Sequence, residues 1–78
     1  MIKKQNMLVI TFKTTTQAMA MEACCKEKHM PGRLIPLPKS ISAGCGMAWS
    51  VLPEYENQIM SLMRENNMSY QEARICLI

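Results

Sequence analysis

The chain has 78 residues, 49% of them hydrophobic and 19% charged, with nine basic against six acidic side chains for a net charge of +3. That is too apolar for a disordered segment and too short for more than one hydrophobic core. One Trp, one Phe and two Tyr beside so mild a basic excess lack the basic, aromatic surface of a nucleic-acid module, and no stretch approaches the ~20 apolar residues of a membrane span.

A basic start, Lys3-Lys4, precedes Met7-Leu8-Val9-Ile10. That apolar run is too short for a signal-peptide core and lacks a small-residue cleavage pattern, so a cytosolic (cytoplasmic) protein is expected. Met7 to Phe12 reads as a buried strand. Thr14 with Gln17 three residues on fits a capping box, and Thr15 to His29 then reads as a helix. Ala18, Met21, Cys24 and Cys25 form its apolar stripe, Glu22 and Lys26 an exposed pair, and Pro31-Gly32 its stop.

Arg33-Leu34-Ile35 is a second strand candidate, ended by Pro36 and Pro38, and a polar, small-residue loop follows as far as Gly46. Met47 to Leu52 resumes a strand pattern. Pro53 suits a first helical position, with Glu54 and Glu56 near the positive end of the helix dipole. Tyr55, Ile59, Leu62 and Met63 follow helical spacing, and Asn66-Asn67 supplies a left-handed cap. The tail, Ser69 to Ile78, alternates: Ala73, Ile75 and Leu77 share one face, Glu72, Arg74 and Cys76 the other. The order strand, helix, strand, strand, helix, strand predicts a single α+β domain over 1–78. Its compact solution is the ferredoxin-like two-layer sandwich, a four-stranded antiparallel sheet with two helices on one face.

Below roughly 70–80 residues a core rarely supplies more than about 3–5 kcal/mol, so self-association or packing on a larger partner is expected. A weak homodimer or hetero-complex through the sheet's other face or a sheet edge fits the mixed surface of Tyr70, Glu72, Arg74 and Cys76.

The chemistry concentrates between Leu34 and Ala48. Gly44 and Gly46 flank Cys45, removing side chains that would shield the sulfur and permitting a nest of converging amides. Such amides, helped by Lys39, favour the thiolate, the nucleophilic form. An unperturbed thiol is roughly 3% ionised at neutral pH, and a depression of about two units would make it mostly thiolate. A tight loop whose cysteine merely fills space is the plainer alternative.

The run Leu34-Ile35-Pro36-x-Pro38-Lys39-x-Ile41-Ser42-x-x-Cys45-Gly46-x-Ala48, after a Thr-Phe strand and a Thr-rich helix start, resembles the small DUF3343 family. Its members are described as selenium/sulfur carrier-like proteins, and the resemblance spans nearly the whole chain. It implies Cys45 as the sulfur- or selenium-bearing thiol, with Lys39, Ser42 and Gly46 around it, and donor and acceptor proteins as partners. One departure is Trp49-Ser50, where the pattern calls for a small aliphatic residue and then a basic one. A carrier passes a persulfide or selenopersulfide by thiol exchange and needs no general base and no cofactor. The reading from another class is a small-anion or partner-binding regulatory module with an incidental cysteine.

The remaining thiols are weaker candidates. The four cysteines contain no C-x-x-C pair, so neither structural zinc nor another metal is expected. Cys25 and His29 stand i, i+4, a spacing that could pair thiol with imidazole or bind metal, and Cys24 or Cys25 could resolve Cys45; packing is the bland reading of both. The nine methionines read as gap-fillers.

Overall fold

The structure, a computed structural model, describes residues 4–38, 41 and 46–78. Strand β1 spans Asn6–Thr11, helix α1 Thr15–Glu27, β2 Arg33–Pro36, β3 Met47–Val51, helix α2 Glu56–Glu65 and β4 Glu72–Leu77. The four strands form one antiparallel sheet in the order β2-β3-β1-β4. Among the described residues no helix is long and apolar enough to cross a membrane.

The central position of β1 explains its unbroken apolar run. A strand with neighbours on both sides and cover on both faces has no solvent side on which to alternate. Leu8, Ile10 and the adjoining Phe12 join Ala18, Met21 and Cys25 of α1, Ile59 and Met63 of α2, and Trp49 and Val51 of β3 in the main core. Both helices therefore cover the same face. Each large side chain buried there contributes roughly 1.5–3 kcal/mol. On the opposite face Val9 and Ala48 are buried in a second, smaller cluster with Ile41, bordered by Met7, Ile35, Leu37, Cys76 and Ile78. That face is partly covered by Leu37 and Ile41, from between β2 and β3, where sequence reasoning left it to water or a partner.

Helix α1 begins as expected. The Gln17 N–H donates to Thr14 Oγ1 at 3.2 Å, and the Lys13 N–H donates back to Gln17 Oε1 at 3.1 Å. Its end corrects the expectation that it runs to His29 and stops at Pro31-Gly32. The last helical residue is Glu27, and His29 takes a left-handed φ of 57°. The Met30 N–H then donates to Cys25 O and the His29 N–H to Lys26 O, at 2.8 and 3.4 Å. These two bonds make a Schellman cap, which satisfies the last carbonyls without glycine. Helix α2 repeats the device: Asn67 has φ 52°, and the Met68 N–H donates to Met63 O at 2.8 Å. Pro53 opens a 3-10 turn, Pro53–Tyr55, ahead of α2 rather than the α-helix itself.

Strand parity in β4 follows the alternation. Ala73 and Ile75 pair with Ile10 and Leu8 on the helix-covered face, and Cys76 pairs with Met7 on the other. Cover, however, does not follow parity: Ile75 is 47% and Leu77 63% exposed, because the main core stops short of them.

Candidate functional site

Strand β2 leaves the sheet at Pro36 and β3 returns at Met47, so the intervening loop leaves and rejoins at one end of the sheet. Lys39, Ser42, Gly44 and Cys45, four of the five site residues expected from the sequence, lie outside the described residues. Its described frame consists of Leu37, Pro38, Ile41 and Gly46. The Leu37 N–H donates to Gly46 O at 2.9 Å, closing the neck of the loop as one further rung of the β2–β3 ladder. Gly46 has φ 75°, and a Cβ built there would meet nothing within 4 Å. Its glycine is required by backbone geometry, not by crowding.

Ile41 was missed as a site-forming residue. It is buried against Val9 and Ala48, and its N–H donates to Pro38 O at 3.0 Å. One β-branched residue between Ser40 and Ser42 in a polar loop was the available signal. Its burial anchors this position, four before Cys45 in sequence, to β1 and β3, a strand pair that is itself in the core.

The other cysteines separate cleanly. Cys25 is fully buried in the main core. Burial, and then the neighbouring Cys24, push its thiol up to about 11. At neutral pH it is protonated, which makes it a packing residue and a poor nucleophile. Its proposed partnership with His29 rested on one continuous helix, and α1 ends before His29, which is exposed. Cys24 and Cys76 are half-buried. Among the described residues no group of three or more His, Cys, Asp or Glu could hold a metal ion.

The departure at Trp49-Ser50 divides between the two faces. Trp49 is in the main core. Ser50 lies on the other face, directly across from Arg33 of β2. Both border an open groove of about 550 Å³ with Gln5, Met7, Ile35 and Ile78. This groove is at the end of the sheet away from the β2–β3 loop. A basic side chain thus remains at this level of the sheet, supplied by the neighbouring strand.

The family described as "Putative Se/S carrier protein-like" has a model that matches residues 7–73, from the first strand into the last. The chain belongs to this family, the one its loop motif resembles. No curated protein and no solved structure matched the chain.

Proposed function

We propose that the chain is a sulfur or selenium carrier that holds a persulfide or selenopersulfide on Cys45 and passes it to a partner protein by thiol exchange. Membership of the Se/S carrier-like family carries this reading, because the match over residues 7–73 includes the whole loop. Two features support the choice of thiol. Cys25 is removed as a rival by its burial and raised pKa. Gly46, immediately after Cys45, has the positive φ that lets successive amides converge on one point.

In the loading step the Cys45 thiolate attacks the terminal sulfur of a donor persulfide. A new S–S bond forms, the donor's S–S bond breaks, and the donor leaves as its thiolate. Unloading is the same exchange with an acceptor thiolate as nucleophile, so no net oxidant, metal or cofactor is consumed. Lys39, Ser42, Gly44 and Gly46 would surround the anionic sulfur. A reducing cytoplasm suits such chemistry, since free thiols persist there. The working unit is the single domain 1–78. We assign it the ferredoxin-like βαββαβ architecture, a reading supported by the strand order β2-β3-β1-β4 and by the shared core of both helices.

Mass spectrometry of protein isolated without reductant tests the proposal. Added sulfur or selenium should map to the peptide containing Cys45 and disappear on reduction and in Cys45→Ser. Loading that survives Cys45→Ser would overturn it.

A further inference from the structure

The two sheet edges are unequally protected. In β2 the bond from the Leu37 N–H to Gly46 O fixes Arg33, Ile35 and Leu37 as the residues whose backbone groups face β3, leaving Leu34 and Pro36 turned outward. Pro36 has no N–H to offer, and a four-residue strand is a short edge. Strand β4 is six residues long and contains no proline.

The opposed residues Gln5 and Ile78 exchange both N–H···O bonds, at 2.9 and 3.0 Å. By the alternation of an antiparallel ladder, Arg74 and Cys76 then direct their backbone groups at β1. Ala73, Ile75 and Leu77 direct theirs outward. The same three residues carry their side chains on the helix-covered face, where Ile75 and Leu77 are the exposed apolar groups. Unpaired backbone and uncovered apolar surface coincide along one edge.

We propose that β4 pairs antiparallel with β4 of a second copy about a twofold axis at Ile75, joining the two sheets into one. A twofold axis of this kind must pass through a residue, because facing side chains have to share a sheet face. An axis at Ala73 would require the partner's Gln71 to pair with Ile75, but the Gln71 N–H already donates to Thr11 O at 2.7 Å. One at Arg74 would set two guanidiniums directly opposite, a destabilising arrangement. At Ile75 all outward residues find partners: Ile75 with the partner's Ile75, and Ala73 with the partner's Leu77 in both directions. Arg74 then faces the partner's Cys76, and its ion pair with Glu72, 3.3 Å long, stays within its own chain.

Sedimentation velocity over a concentration series should show a monomer–dimer equilibrium. Ile75→Lys, at a half-exposed position, should leave the thermal unfolding midpoint unchanged at concentrations where both chains are monomeric, while weakening association by more than about tenfold through two facing ammonium groups. Arg74→Cys reads the register. The introduced thiol would oppose the partner's Cys76 in a non-hydrogen-bonded pair, whose Cα separation of roughly 4.5 Å accepts a disulfide. Mild oxidation followed by peptide mapping should find that cross-link in the variant and no Cys76–Cys76 cross-link in the parent chain. A monomer at every concentration, association indifferent to Ile75→Lys, or a Cys76–Cys76 disulfide in the parent would each overturn the proposal.

Discussion

Gly32 lies against the indole of Trp49. A Cβ on Gly32 would come 2.4 Å from Trp49 Nε1, 2.8 Å from Cε2 and 2.9 Å from the Ser50 carbonyl oxygen. The φ of Gly32, 115°, is also one that L side chains rarely adopt. Trp49 is nearly fully buried, so its ring cannot swing aside into water.

Gly32→Ala should therefore destabilise the fold by about 2–4 kcal/mol, combining backbone strain with overpacking. Urea denaturation would show it as a lowered midpoint at unchanged slope. A loss below about 1 kcal/mol would mean that β2 can move away from the indole without cost.

Gly46 gives the contrasting case, strain without collision. Gly46→Val should disturb the backbone beside Cys45 and lower its thiol reactivity strongly, whereas Gly46→Asn, which tolerates the left-handed region, should retain most of it. Lys39→Ala should lower reactivity only a few-fold, and more at low ionic strength, because salt screens the charge of a lysine acting through water. Iodoacetamide labelling of Cys45 across pH compares all three. Equal losses in the Val and Asn variants would point to side-chain bulk instead of backbone geometry.

Cys25 predicts a pH dependence of stability. Its thiol is at about 11 in the folded chain against an ordinary value of 9.0, so folding favours the protonated form. Below pH 9 both states hold the proton and this contribution is constant. Between roughly 9 and 11 the unfolded chain ionises first, and stability falls by an amount on the order of 2 kcal/mol. Thermal melts of the parent and Cys25→Ala from pH 7 to 11 isolate this contribution. The parent curve should fall more steeply, and parallel curves would contradict the assignment.

His29 occupies a backbone conformation better suited to glycine, and it is exposed, so its side chain gives little in return. His29→Gly should stabilise by about 0.5–1 kcal/mol, raising the unfolding midpoint by a few degrees. Asn67→Gly, at the matching position after α2, should gain less, since asparagine already tolerates that conformation.

The contrast between those caps illustrates what the sequence made legible. Thr14 with Gln17, and Asn67, are residue types with a strong local preference for the geometry they adopt, and both ends were read correctly. His29 has no such preference. It is held left-handed by Met30 packing on the core, a tertiary effect invisible in the chain. The faces of β4 were legible because parity is a property of the strand alone. The exposure of Ile75 and Leu77 was not, since it depends on how far the helices reach across the sheet. For the candidate site, motif and family were readable from Leu34 to Ala48, while the anchoring role of Ile41 emerged only with Val9 and Ala48 beneath it.

The rung between Gln5 and Ile78 has a mechanical consequence. Strands β1 and β4 run antiparallel side by side, so tension applied between these two residues opens their ladder like a zipper. The load falls on one rung at a time instead of on the whole set in shear. A tether attached there would peel β4 away at low force while β1, β2 and β3 remained joined, and the strand released would be the one carrying Ile75.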